Sequence, residues 1–245
     1  MERLKSSTLD PIKAVPGLFI SDRFAASSVP NLQSHNIRRV LSLLQPHEAL
    51  KPKVFAGNAN EADGSEGPFQ IEFRTIEIDD DPTVDIVQHL SAACDWIQEG
   101  LGTLSKDNAE PSPGVLVHCR QGISRSGAIV VAYLMRNFQI SYSAALSLAR
   151  ESRPIICPNQ GFGTQLRAWE HCKYDIYLDV EDEAGSNRTK EKKEKPPYKA
   201  WKAQRDDLLA GGEEDTNKVR FSSLASAAAT LGKRRLENLE KQTAK

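Results

Sequence analysis

The chain has 245 residues, 39% of them hydrophobic and 27% charged, with a formal net charge of −1. That length suits one globular domain of ordinary size with polar sequence left over, and no apolar run reaches the roughly 20 residues that span a bilayer. The start, MERLKSSTLDPIKAV, has no apolar core of a signal peptide, so a monomeric protein of the cytoplasm or nucleus with no membrane attachment is expected.

After an N-terminal extension, residues 1–13, Gly17-Leu18-Phe19-Ile20 reads as a short strand, Val29 to His35 as a helix and Arg38 to Leu44 as a second strand. Residues 45–68 carry Pro46, Pro52, Gly57, Gly64, Gly67 and Pro68, the composition of an exposed loop. Gln70 to Ile78 alternates polar and apolar residues, the pattern of a strand with one buried face, and runs into Asp79-Asp80-Asp81. Val84 to Gln98 spaces Ile86, Val87, Leu90, Ala93, Cys94 and Ile97 as the buried stripe of an amphipathic helix. A polar turn from Gly100 to Gly114 leads to Val115-Leu116-Val117, apolar throughout, as in a central strand covered on both faces. Ser126 to Asn137, Tyr142 to Glu151 and Asn159 to Leu178 read as helices. The order predicts an α/β domain over residues 14–180, a central mixed sheet of four to five strands flanked by helices.

Beyond that domain the chemistry changes. Residues 181–197 form a charged linker, and residues 198–245 a basic tail, helical or disordered, with helical segments over Tyr198 to Ala210 and Phe221 to Leu239 that have little to bury alone. Residues 1–185 hold 17 Lys+Arg against 24 Asp+Glu, whereas residues 186–245 hold 15 against 9. Such a tail suits an acidic partner or RNA, or is simply a solvated extension. There is no internal repeat.

The four cysteines, Cys94, Cys119, Cys157 and Cys172, form no C-x-x-C pair, so neither a disulfide framework nor a zinc site is indicated; no metal and no cofactor are expected. Only Cys119 is followed six positions later by an arginine, Arg125. Its context is specific: a buried strand ends at His118, a polar loop contains Gly122, and Arg125-Ser126 opens an apolar helix. A strand-loop-helix turn of this kind aims backbone N–H groups and a positive helix end at one concavity, and a rim arginine adds a fork for two phosphate oxygens. The same field favours a thiolate, which with phosphate held in line attacks phosphorus and forms a phosphocysteine. Ser126 is placed to donate toward the sulfur, and His118 to buttress the loop.

HCRQGISRS, residues 118–126, resembles the signature loop of the cysteine-dependent protein tyrosine phosphatases, and Ala132 to Met135, AYLM, is similar to the dual-specificity branch. The resemblance implies that family's fold, with Cys119, Arg120, Gln121, Gly122, Ile123, Ser124 and Arg125 as the phosphate-binding loop, Cys119 as nucleophile and Arg125 as the oxyanion clamp. Gln121 stands where the family usually has alanine, a change on the rim. A rhodanese loop is one residue shorter, and inositide phosphatases carry loop lysines absent here, so phosphoproteins are the expected substrates.

A leaving alkoxide or phenolate needs a proton, and Asp79, Asp80 and Asp81 are three candidate donors. Ile76 to Ile86, IEIDDDPTVDI, resembles the family's acid loop, and aligning Asp85-Ile86 with its downstream pair selects Asp80. Arg153 to Leu166 resembles the segment after the signature loop, which assigns Asn159 to loop support and helix capping and Arg153 to anchoring the loop or meeting an acidic partner. Cys157 or Cys172 as a redox partner of Cys119, or as buried structural thiols, are both open. Pro196 to Lys202 is similar to the segment after the catalytic domain in the subgroup that carries a C-terminal zinc domain and is linked to ribosome biogenesis, yet no cysteine follows Cys172. A dual-specificity protein phosphatase is therefore expected; the competing readings are a phosphate-binding scaffold acting through its tail, for example in ribosome assembly, and a phosphatase for RNA ends or inositides.

Overall fold

Val115-Leu116-Val117 lies at the middle of the sheet, in a strand whose residues are all buried. In a computed structural model, which describes residues 7–50, 69–102, 113–178 and 193–243, five strands are formed. They are β1 (Asp10–Pro11), β2 (Leu18–Asp22), β3 (Ile37–Leu43), β4 (Glu72–Ile76) and β5 (Gly114–Cys119), in the spatial order β1-β2-β5-β3-β4. β1 runs antiparallel to β2 and every other pairing is parallel, so the sheet is mixed. The carboxyl ends of β2, β5, β3 and β4 consequently share one edge, with Asp22 in register with Cys119.

Side chains of period two divide the core. Leu41, Leu43, Val115 and Val117 face the larger cluster, covered by α3 (Val87–Leu101), α4 (Arg125–Phe138), α5 (Tyr142–Ser152) and α6 (Gln160–His171). Ile37, Val40 and Leu116 face a smaller one beneath α1 (Arg23–Ala26) and α2 (Val29–Ser34). Each wholly buried aliphatic side chain contributes about 1.5–3 kcal/mol of transfer free energy.

Several elements differ from the sequence reading for identifiable reasons. The segment assigned to an N-terminal extension contributes β1 and puts Ile12 into the core. β4 is an edge strand whose apolar phase slips: Ile71 packs on the smaller cluster, Phe73 is exposed, and Ile76 and Ile78 turn into the larger one. α3 starts three residues late, because Asp81 accepts hydrogen bonds from the amide and hydroxyl of Thr83 while Asp85 caps the amides of Val87 and Gln88. Gln165 holds the intervening segment as a strand neighbour would, accepting from the Ile86 amide and donating to the Val84 carbonyl.

The last helix of the body does not run to Leu178. It stops at His171, where Lys173 and Tyr174 take positive φ and their amides return to the carbonyls of Glu170 and Trp169, the Schellman arrangement that ends a helix. Nor do the tail helices stand alone. α7 (Pro196–Ala210) buries Tyr198 and Trp201, stacked with centroids 6.0 Å apart, in the main core, and the Tyr198 hydroxyl donates to Asp85 at 2.6 Å. α8 (Glu213–Thr243) then packs on α6 and α7. Most of the loop expected over 45–68, the polar turn before β5 and the charged linker lie outside the described residues. Among the described residues no helix is long and apolar enough to cross a membrane.

Candidate active site

The loop from Cys119 to Arg125 bridges the end of β5 and the first turn of α4 at the shared sheet edge. It turns at Gly122, whose φ of 68° is left-handed, and a Cβ there would lie 2.5 Å from the Ser21 carbonyl oxygen of β2, so glycine is required on both counts. Arg153 clamps the outside of the turn: Nε donates to the Gly122 carbonyl (2.9 Å), one terminal nitrogen to the Gln121 carbonyl (3.1 Å) and the other pairs with Asp10 (2.6 Å). Arg153 thus fills both roles open to it, anchoring the loop and meeting an acidic partner in Asp10.

Cys119 is 2% exposed, and its sulfur receives two hydrogen bonds, from the Gly122 amide and the Ser126 hydroxyl, each 3.2 Å long. Two donors thus converge on one sulfur at the N-terminus of α4. Arg125, also buried, is gripped from behind. Its terminal nitrogens form a forked pair with the Glu48 carboxylate, one bond being 2.9 Å, and one of them reaches the Ile78 carbonyl as well (3.1 Å). Its Nε is buried and has no partner among the described residues. Hydrogen bonding from Arg125 holds the Glu48 carboxyl down at about 2, well below the usual carboxylate range, despite its burial.

Glu48 is the functional residue that sequence reasoning missed, since residues 45–68 read only as an exposed loop. It ends a short 3-10 turn, Pro46–Glu48, and is buried. A signal was present: Gln45-Pro46-His47-Glu48 is a capping-box pattern, and Glu48 accepts from the Gln45 amide.

The three aspartates separate by contact. Asp79 accepts from Gln45 (3.1 Å), and Asp81 is occupied by Thr83 and by Arg220 of α8 (2.6 Å). Asp80 reaches the cysteine loop: its Oδ1 accepts from the Ser124 hydroxyl (2.5 Å) and from Asn159 Nδ2 (2.9 Å). Asn159 adds two further ties, its amide donating to Ser124 Oγ and its Oδ1 capping the Phe162 amide of α6. His118 is buried, with Nε2 2.6 Å from Ser42 Oγ on β3, and burial pushes its imidazole down to about 4, so it is neutral near pH 7. Arg120 and Gln121 are exposed on the rim, and Ile123 is half-buried.

These groups line one cleft of about 730 Å³ that holds Cys119, Asp80, Arg125 and Cys157 and is walled on one side by α8. The four cysteines are free thiols. Cys172 caps the far end of α6, about 20 Å along the helix axis from Asn159 at 1.5 Å per residue, so it is not poised to pair with Cys119. Burial raises its thiol pKa, and that of Cys94 to about 12.

A protein-family model described as "Dual specificity phosphatase, catalytic domain" matches residues 23–172. The mouse protein named dual specificity protein phosphatase 19 is 33% identical over 157 residues, 63% of this chain and 60% of its own. The chain spans less than two thirds of the length of the curated relatives it matches. Among solved structures, the human tyrosine phosphatase-like serine/threonine/tyrosine-interacting protein is 30% identical at a TM-score of 0.54, covering 68% of this chain and 98% of that one. The Yvh1 phosphatase domain from Chaetomium thermophilum is 31% identical at a TM-score of 0.53, covering 67% of this chain and 96% of that one.

Proposed function

Since the chain belongs to the family of dual specificity phosphatase catalytic domains, we propose that it hydrolyses phosphotyrosine and phosphoserine/threonine in proteins through a phosphocysteine at Cys119. The observation that carries this reading is the convergence of Gly122 and Ser126 on the Cys119 sulfur, within a cleft that also holds Arg125 and Asp80.

The Cys119 thiolate attacks phosphorus in line, and the bond from phosphorus to the ester oxygen breaks. Arg125, held by Glu48, offers its unpartnered Nε to the equatorial oxygens and stabilises their charge in the transition state. Asp80 gives its proton to the departing oxygen; both of its hydrogen bonds land on Oδ1, leaving Oδ2 to carry that proton. In the second step Asp80 takes a proton from water, the water oxygen bonds to phosphorus, and the sulfur leaves as a thiolate with Ser126 donating to it. His118 takes no part in proton transfer, since its ring is buried, neutral and tied to Ser42. Ser124, Arg153 and Asn159 keep the loop and the acid in register.

This catalytic unit is assigned to residues 14–180, with Ile12 and, from α7, Tyr198 and Trp201 added to its core from outside those bounds. The protein is assigned as a monomer of the cytoplasm or nucleus whose basic tail meets acidic partners or RNA. The test of the reaction is turnover of a generic aryl phosphate and of phosphorylated peptides. Wild type is expected to hydrolyse both, Cys119→Ser neither, and Asp80→Asn at a kcat lowered about 10²-fold with phosphate binding retained. Turnover surviving in Cys119→Ser refutes the chemistry, and the same loss in Asp79→Asn or Asp81→Asn in place of Asp80→Asn moves the acid.

A further inference from the structure

α8 lies beyond the residues 23–172 that match the catalytic-domain family, yet it forms one wall of the catalytic cleft. We propose that α8 is part of the substrate site: Leu224, with Ala227 and Ala228, supplies an apolar face for the aromatic ring of phosphotyrosine, so the cleft prefers aryl over alkyl phosphate esters. The inference rests on the phosphatase reading and extends it to side-chain selection.

Three observations carry it. The first is placement. Leu224, Ala227 and Ala228 border the same cleft as Cys119 and Arg125, so the ester group of a phosphate seated at the cysteine loop shares the cleft with this helix. The second is that the wall is held by specific bonds to α6 and to the aspartate run. Ser223, buried, accepts the amide of Gln160, the first residue of α6, whose N–H has no partner within its own helix. Arg220 pairs with Asp81, the neighbour of the proton donor, at 2.6 Å. Leu224 follows Ser223 directly, so its position relative to the acid loop and to α6 is set by these contacts.

The third is chemistry. Apart from Pro82 and Ile123, the rest of the cleft is lined by polar, charged and thiol side chains, and α8 adds a contiguous apolar surface, with Leu224 66% exposed. A tyrosine ester places a six-membered ring between its phosphorus and its backbone and removes apolar area from water against such a surface. A serine ester places one carbon there and gains little.

The test is equilibrium binding of a phosphotyrosine peptide and a phosphoserine peptide of the same flanking sequence to the full chain carrying Cys119→Ser, with inorganic phosphate as a third ligand. Leu224→Ala is expected to weaken the phosphotyrosine peptide about three- to tenfold, leaving the phosphoserine peptide and inorganic phosphate unchanged. Alanine keeps the helix, and Phe221→Ala, an exposed residue of α8 outside the cleft lining, is expected to change none of the three. An unchanged phosphotyrosine affinity, an equal loss for both peptides, or tighter binding in Leu224→Ala overturns the proposal; the last result would make α8 an obstruction. Because the readout is binding, loss of the phosphatase reading is seen separately, as absence of turnover in the protein with Cys119 intact.

Discussion

Glu48→Gln is the perturbation that tests how the site is built, because it keeps the side chain's size and one acceptor while removing its charge. The pair it breaks is almost enclosed, with the Arg125 and Glu48 side chains 4% and 10% exposed. A drop of the Glu48 carboxyl from 4.5 to about 2 corresponds to about 3 kcal/mol, at 1.36 kcal/mol for each pKa step of one. Loss of a charge-assisted bond together with a buried, unbalanced guanidinium leads to a similar figure of about 3 kcal/mol. Urea unfolding at pH 7 is therefore expected to place the variant about 3 kcal/mol below wild type. Because the folded-state pKa is depressed, the Glu48 contribution is present above pH 4.5 and is lost as pH falls toward 2, so the gap between the two proteins closes over that window. Turnover falls as well, at least tenfold in kcat, since Arg125 loses the partner that aims it. Equal stability at pH 7, a gap that does not narrow below pH 4.5, or wild-type kcat would each refute the assignment of Glu48 as the support of Arg125.

Two other substitutions probe the frame. Gly122→Ala places a Cβ 2.5 Å from the Ser21 carbonyl at a φ of 68°, and is expected to weaken inorganic phosphate binding by more than tenfold while lowering stability by more than about 1 kcal/mol; calorimetry and urea unfolding read the two effects. Tyr198→Phe deletes the 2.6 Å bond to buried Asp85 and is expected to lower unfolding free energy by about 1–3 kcal/mol, although Tyr198 lies in the tail; an unchanged denaturation midpoint would show that the contact carries no stability.

The cysteine loop was legible because its chemistry is contiguous. A strand end, a thiol, a glycine that must take positive φ, and an arginine opening a helix fall within eight residues, and local spacing specifies all of them. Asp80 needed the family pattern, since nothing in DDD distinguishes the three carboxylates; that Asp80 contacts Ser124 and Asn159, far along the chain, is visible only in the fold. Glu48 was hidden because the loop's prolines and glycines describe its backbone and not its burial, which is set by a guanidinium 77 residues away. The tail was misjudged for the same reason. Tyr198 and Trp201 look stranded in a polar stretch, and only the fold reveals the apolar surface beside α6 that receives them. Edge position likewise decided β4, where the alternation was visible but the change of phase between Phe73 and Ile76 was not.

The Asp85 carboxylate joins two distant parts of the chain through its two oxygens. One caps the amides of Val87 and Gln88, and the other takes the Tyr198 hydroxyl. Those amides are thereby linked to an event more than a hundred residues away. When α7 lifts, Asp85 becomes solvated and its cap weakens, so hydrogen exchange at Val87 and Gln88 should quicken with it. The first turn of α3 then serves as a local gauge of whether the tail is seated, readable amide by amide without any label on the tail itself.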